Sequence, residues 1–396
     1  MITRTYSIIN KKERSTEDNL LHAACPLAHP SGKLAWLGEK DPLFLDIETT
    51  GLSSGSSHLY QITICYHRKI HQWFLDHPWQ EKEMLQAFYD FLIEELEPDA
   101  CLVTYNGTTF DLPYLERKAA FYGVALPFSK MRQIDLYALL RPYRKLISPD
   151  SFKQKDLEHY AGIFRKDPYS GGELIRVYEK YLASFSDELL NELLLHNLED
   201  VTGMIEILPV LIWKKLFDGN FKFSLESAIL SEETEEPGRH DQAPSVTFSF
   251  SVPESNFYLP ESLFKKICIA GNPYIRLFPA SSGCYKLYLT VKGVYADLKH
   301  FLPDNKNYYY LTEEDSIIPK SLAYSVDPRY RRKASKSDCF VRQTGSFLPQ
   351  TRKMFLPEFQ TAYKAQPLYY KADQLLKADQ DVMQDYILSL LAACLS

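Results

Sequence analysis

Phe44-Leu45-Asp46-Ile47-Glu48-Thr49-Thr50-Gly51-Leu52 is the stretch on which the fold of this chain turns. Leu43 to Ile47 is a compact apolar run between Pro42 and Gly51, the pattern of a buried strand that ends in a turn. Side chains alternate along a strand, so Asp46 and Glu48, two residues apart, leave from the same face. Two neighbouring carboxylates buried without partners repel each other, and either cost several kcal/mol or take up protons. A divalent cation removes that conflict. Mg2+ and Mn2+ favour carboxylate oxygens, whereas a zinc site would usually show His or Cys. The plain alternative is a surface strand with two solvated acids, and the apolar neighbours Phe44, Leu45 and Ile47 count against it.

Outward from this strand, Tyr60 to Tyr66 and His71 to Leu75 read as two further strands that complete an antiparallel meander. Residues 81–96 carry Met84, Phe88, Phe91, Leu92 and Leu96 at helical spacing. Cys101 to Tyr105 is another short strand, broken by Asn106-Gly107. From Asp111 to about residue 216 the pattern is mostly helical, with Leu136, Leu139 and Leu140 on one helix and Leu189, Leu190, Leu193, Leu194 and His196 on another. Three strands, a helix, a strand and then helices suit an α/β sheet with helices over its faces.

Residues 1–40 show little periodicity and are expected to be an irregular N-terminal segment. The α/β domain is placed at 41–229. Residues 230–246, with five acids, two prolines and no aromatic, read as a linker. Beyond it, Val246 to Val252 and Tyr285 to Val291 alternate as half-buried strands, so 247–396 is expected to be a smaller β-rich domain closing on an amphipathic helix at about 371–395.

The 396 residues are 45% hydrophobic and 24% charged, which excludes a mostly disordered or fibrous chain and fits two or three domains. No stretch approaches the roughly 18 consecutive apolar residues of a membrane span. The N-terminus lacks the apolar region of a secretory signal, and seven cysteines without a Cys-x-x-Cys pair fit reduced thiols, so the expected location is cytoplasmic. The net charge of −6 hides an asymmetry: residues 251–396 carry +5 and the remainder −11. A basic half can signal a nucleic-acid partner, or two solvated surfaces that differ by chance.

Two further segments carry chemistry. Asp111 follows Tyr105-Asn106-Gly107-Thr108-Thr109-Phe110, a strand, a tight turn and a helix start; on its own it reads equally as a helix N-cap. His196 and Asp200 stand four apart on one helical face. A carboxylate ligand beside a neutral imidazole that can take a proton from water suits metal-assisted hydrolysis, and a surface His–Asp pair is the alternative.

Taken together, these segments resemble the motifs of the DEDD exonuclease superfamily, the ribonuclease-H-like 3′→5′ exonucleases. Phe44 to Leu52 is similar to the first motif, Tyr105 to Asp111 to the second, and His196-Asn197-Leu198-Glu199-Asp200 to the third. Within that superfamily they are similar to the YprB-type bacterial ribonuclease-H-like proteins, over about residues 40–215. The resemblance implies a ribonuclease-H-like mixed sheet flanked by helices. It implies that Asp46, Glu48, Asp111 and Asp200 hold two Mg2+ or Mn2+ ions, with His196 the general base. It also places Thr49 and Leu52 against the terminal nucleotide and Asn106 in the lining of the site. One departure stands out: three residues separate His196 and Asp200, the spacing of the Tyr-type members, where His-type members have four.

The implied activity is two-metal 3′→5′ hydrolysis of DNA or RNA, with single strands or 3′ ends as partner and no membrane. A structure-specific endonuclease, a non-catalytic nucleic-acid-binding module and an interaction protein are the alternatives. In the second domain Arg329, Arg331, Arg332, Lys333 and Lys336 cluster near Tyr324 and Tyr330, and Tyr308-Tyr309-Tyr310 follows Lys306. Cations that neutralise phosphates beside rings that stack bases suit single strands. Tyrosines packing a β-domain beside a solvated loop are the equal alternative.

Overall fold

The computed structural model describes residues 1–7, 42–97, 100–147, 151–230, 244–251, 275–279 and 287–393. The linker expected at 230–246 lies almost wholly outside the described residues, as does most of the N-terminal segment. The chain forms two compact units that divide after Lys215.

The first unit is built on a six-stranded sheet of order β1-β4-β3-β2-β5-β6. The strands are β1 (Ile2–Ser7), β2 (Leu43–Thr49), β3 (Leu59–Tyr66), β4 (Lys69–Phe74), β5 (Cys101–Thr104) and β6 (Arg132–Asp135). The expected meander β2-β3-β4 is antiparallel, while β5 runs parallel to both β2 and β6. Residues 2–7, expected to be irregular, form instead an edge strand in register with β4, from Ile2 against Phe74 to Ser7 against Lys69. An edge strand needs only one partner, and Ile-Thr-Arg-Thr-Tyr-Ser is too polar to mark itself as a buried strand. The short strand β6 was likewise hidden within the stretch read as helical.

Helices α1 (Glu81–Glu95), α2 (Asp111–Tyr122), α3 (Leu136–Leu140), α4 (Arg144–Ile147), α5 (Gln154–Ala161), α6 (Gly171–Ser184), α7 (Asp187–Glu206) and α8 (Ile212–Phe217) complete the sequence of elements. Leu43, Leu45 and Ile47 of β2 join Ile62 and Ile64 of β3, Met84 and Phe88 of α1, Leu115 of α2, Tyr178 of α6 and Leu193 of α7 in one core. Burying each such side chain contributes roughly 1.5–3 kcal/mol. Asp187 and Glu188 sit in the first turn of α7, where the helix dipole favours negative charge. Ser170 and Glu173 close a capping box that starts α6.

The second unit is β-rich, as expected. Strand β7 (Lys222–Ile229), inside the range expected for the first domain, pairs with β8 (Ser245–Ser251) in a sheet of order β7-β8-β10-β9, with β9 (Ile275–Pro279) and β10 (Leu287–Lys292). Two three-stranded sheets follow. One has the order β11-β15-β16 and the other β13-β12-β14. Their strands are β11 (Val294–Phe301), β12 (Tyr308–Leu311), β13 (Ser316–Pro319), β14 (Arg331–Lys333), β15 (Phe340–Gln350) and β16 (Leu368–Lys371). The helix expected at 371–395 is two, α9 (Ala372–Leu376) and α10 (Gln380–Ala393).

Candidate active site

Four carboxylates converge where the C-terminal end of β2 meets the starts of α2 and the middle of α7. Along β2, Leu43, Leu45 and Ile47 are buried in the core, while Asp46 and Glu48 alternate with them and keep partial exposure. The pairing of β2 with β3 shifts register between Glu48 and Thr49, a bulge at the point where the strand leaves the sheet beside the acids. Asp111 is the first residue of α2 and is buried. The turn before it depends on Gly107, because a Cβ there would lie 2.5 Å from the Thr104 Cβ. Asn106 adopts φ 61°, and its amide and that of Thr108 donate to Asp135 at 2.8 and 3.2 Å. Asp135, at the end of β6, thereby holds the turn that delivers Asp111.

His196 and Asp200 come from α7. His196 is 4% exposed. Its Nε2 lies 3.4 Å from Glu48 Oε1 and 3.2 Å from Asp200 Oδ2. Ligand atoms of Glu48, His196 and Asp200 all fall within 4.8 Å of one another. Asn197, the next residue, donates from Nδ2 to Asp46 Oδ2, while its Oδ1 is buried without a hydrogen-bond partner.

The loop between α5 and α6 supplies Arg165 and Asp167, and α5 supplies Glu158, none of which the sequence singled out. Asp167 accepts from His196 Nδ1 at 2.6 Å and from Lys155 Nζ at 2.7 Å. Arg165 donates from Nη1 to Asp200 Oδ1 at 2.6 Å and from Nη2 to Glu158 Oε1 at 2.6 Å. Glu158 is fully buried, and Gln154 bridges it to the Asp200 carbonyl. The backbone amides of Lys166 and Asp167 donate to Glu199 at 3.0 and 2.9 Å, which ties the loop to α7. Gly203 makes room for this network: a Cβ there would stand 2.0 Å from Glu158 Oε1. The contacts that reach α7 join residues 29 to 46 positions apart with no shared periodicity, so sequence patterning carries no sign of them.

Burial is the main electrostatic fact here. It pushes the Asp46 carboxyl well above its usual range, and Asp200, Asp111 and Glu48 add to the rise while Arg165 opposes it. Burial likewise lifts Glu48 to about 8, against the pull of His196 and with the push of Asp200 and Asp111. Asp111 rises to about 7 through burial, despite backbone donors at Asp111 and Ile47. For His196, burial disfavours the imidazolium, but the Asp167 hydrogen bond and the fields of Asp200 and Glu48 outweigh it and raise the affinity for a proton. Asp167 is also penalised by burial, yet His196 and Lys155 hold it down at about 2, so it is a carboxylate.

These residues fit a divalent cation. Burial raises three of the carboxyl groups, an imidazole nitrogen stands beside oxygens of Glu48 and Asp200, and the Asn197 amide oxygen has no donor. Oxygen-rich, acidic donor sets of this kind suit Mg2+ or Mn2+. Of the remaining expected site residues, Thr49 donates its hydroxyl to the Gly51 carbonyl at 2.9 Å, Leu52 is 84% exposed, and Asn106 is exposed with its side chain accepting from Thr109 at 2.9 Å.

Residues 43–212 match the RNase_H superfamily, and this part of the chain carries the ribonuclease-H-like fold, a mixed sheet with flanking helices. The chain is 27% identical over 178 residues to the uncharacterized protein YprB of Bacillus subtilis, covering 41% of this chain and 40% of YprB. It is 44% identical over 50 residues to a DNA polymerase of Pyrococcus glycovorans, covering 13% of this chain and 6% of the polymerase. The chain thus spans less than half the length of these curated relatives. Among solved structures, the family B DNA polymerase of Pyrobaculum calidifontis matches with a TM-score of 0.38 and 16% identity, covering 45% of this chain and 25% of that one. Exonuclease I of E. coli in complex with a dT13 oligonucleotide matches with a TM-score of 0.31 and 11% identity, covering 53% and 55%. Among the described residues, no helix is long and apolar enough to cross a membrane.

Proposed function

We propose that the chain is a metal-dependent nuclease that hydrolyses phosphodiester bonds of DNA or RNA from the 3′ end. The observation that carries this reading is that Glu48 and Asp200 flank His196 Nε2, while Asp46 and Asp111 lie near enough for their charges to act on the same site. Gathering four acids, one buried and three only partly exposed, lowers stability unless the group they await is a cation, and a scaffold has no use for that cost. Asp46, Glu48, Asp111 and Asp200 would hold the ions, which when bound neutralise charge on the phosphodiester and lower the pKa of the attacking water.

The protein's own groups divide the remaining tasks. Asp167 fixes the His196 ring through Nδ1, which leaves Nε2 facing the carboxylates as the atom that accepts a proton from water. Arg165, anchored on Glu158, holds one oxygen of Asp200 and spreads positive charge beside the cluster. Asn197 aims Asp46. Thr49 and Leu52, on the segment that carries Glu48, would meet the terminal nucleotide, and Asn106, on the segment before Asp111, would line the site.

The test is a time course on 5′-labelled single-stranded DNA and RNA with Mn2+, Mg2+ or EDTA, run beside Asp46→Asn. A metal-dependent ladder that shortens from the 3′ end and vanishes in the variant is expected. An Asp46→Asn protein that still cuts would refute the assignment. Internal cuts would move the activity to an endonuclease.

A further inference from the structure

The basic run Arg329 to Lys336 is sorted by the second unit into two groups. Arg329 is bound to Asp327, with Nη2 to Oδ2 at 2.9 Å, and Arg332 to Asp338, so each has a local counter-charge. Arg331, Lys333 and Lys336 have no ion pair among the described residues.

Register separates the two groups in space. In the pairing of β14 with β12, Lys333 stands opposite Tyr309, Arg332 opposite Tyr310 and Arg331 opposite Leu311. Opposed residues share a face and successive ones alternate. Arg331, Lys333 and Tyr309 therefore occupy one face, and Arg332 and Tyr310 the other. The Arg331 guanidinium lies 5.2 Å from the centre of the Tyr309 ring. On β13 the same face carries Ile318, opposite Tyr309, and Ser316, opposite Leu311. Its own strand residues are cations, a ring, Ile318, Leu311 and Ser316; Glu314, which accepts from Ser316 at 3.4 Å, and Asp327, which feels the charge of Arg331, are acids close to it. The other face is closed by acids: Arg332 meets Asp338, the Tyr310 hydroxyl donates to Asp315 at 2.6 Å, and Arg342 contacts both Asp315 and Asp297.

We infer that the Arg331–Lys333–Tyr309 face of this sheet is a binding site for single-stranded nucleic acid. Its place in the reaction rests on the nuclease reading above. Alternate residues of a strand lie about 7 Å apart, on the scale of one nucleotide step in an extended strand, so Arg331 and Lys333 can meet consecutive phosphates. The half-buried Tyr309 ring between them offers a stacking plane, and only unpaired bases expose the faces to use it. Cations outside a salt bridge release counterions on binding, whereas Arg329 and Arg332 already have a carboxylate in contact.

The experiment is fluorescence anisotropy of a labelled oligothymidylate with the full chain in EDTA, across a salt series. Arg331→Ala with Lys333→Ala should lower affinity and flatten the slope of log K against log salt by about 1.4, from roughly 0.7 per contact. Tyr309→Ala should lose about ten-fold in affinity with the slope intact, and Tyr309→Phe should keep it. Arg329→Ala with Arg332→Ala should stay within about two-fold of wild type, because paired cations release no counterions. Melting curves and far-UV spectra check that each variant is folded. An unchanged slope in Arg331→Ala/Lys333→Ala, an equal loss in the two double variants, or displacement by polyglutamate as easily as by DNA would overturn the inference. Thermal stabilisation by Mn2+, read on the same variants, keeps the two proposals apart. If it persists while the slope is unmoved, only this surface falls; if it is absent in wild type, the nuclease reading falls.

Discussion

Glu48→Gln isolates the electrostatic cost of the acid cluster. The wild-type carboxyl titrates at about 8 in the fold against 4.5 outside it, with burial the largest cause. Because the folded value is the higher one, the metal-free fold is favoured below pH 4.5 and loses stability as pH climbs through 8. At pH 7 the unfolded carboxylate is about 2.5 pH units past its midpoint, while the folded group still mostly keeps its proton. At 1.36 kcal/mol per unit this costs the fold roughly 3 kcal/mol. Glutamine has the same shape and no charge, and its carbonyl can still accept from the Tyr60 hydroxyl, which stands 3.4 Å from Glu48. The variant should therefore be more stable than wild type in EDTA at pH 7, by about 2–3 kcal/mol or about 5–10 °C. At pH 5 the gain should shrink below about 1 kcal/mol. With Mn2+ at a hundred times its Kd, wild type should recover about 2.7 kcal/mol and the variant less, so the order closes or reverses. Trp36, Trp73, Trp79 and Trp213 all lie before residue 216, so tryptophan fluorescence melts follow the first unit by itself. A variant that melts below wild type in EDTA at pH 7, or a gain that does not shrink at pH 5, would refute the reasoning.

Two other substitutions probe the supporting residues. Asp167→Asn removes the carboxylate that orients His196, and should lower kcat by about a hundred-fold while KM and the Mn2+-induced rise in melting temperature stay put; an unchanged kcat in steady-state assays would show that the ring needs no such partner. Gly203→Ala drives a methyl group into Glu158, which Arg165 and Gln154 hold in place, and should destabilise the first unit by about 1–3 kcal/mol and weaken Mn2+ binding through Asp200. Fluorescence melts and an Mn2+ titration would reveal it, and normal values in both would mean that Glu158 swings aside freely.

Local rules carried much of this molecule. Alternation in β2 separates Asp46 and Glu48 from Leu45 and Ile47, and the i, i+4 spacing in α7 sets His196 one turn from Asp200. Both depend on backbone periods of two or 3.6 residues and need no knowledge of the rest of the chain. The meander β2-β3-β4 and the β-rich character of the second unit follow from the same periods. β1 and β6 escaped because Ile2–Ser7 and Arg132–Asp135 are mostly polar, with no apolar run like those of β2 and β5.

What the sequence alone determined is therefore the central strands and helices and which acids they present, since those are set within a few residues of chain. Tertiary structure decided the partners. It brought Arg165 to Asp200 and Asp167 to His196 from a loop without pattern, and the register of β14 on β12 set Arg331 and Lys333 on one face and Arg332 on the other. The physical reason is range. A hydrogen-bond period is local, whereas the charge state of a buried acid depends on every group the fold packs within a few ångströms of it.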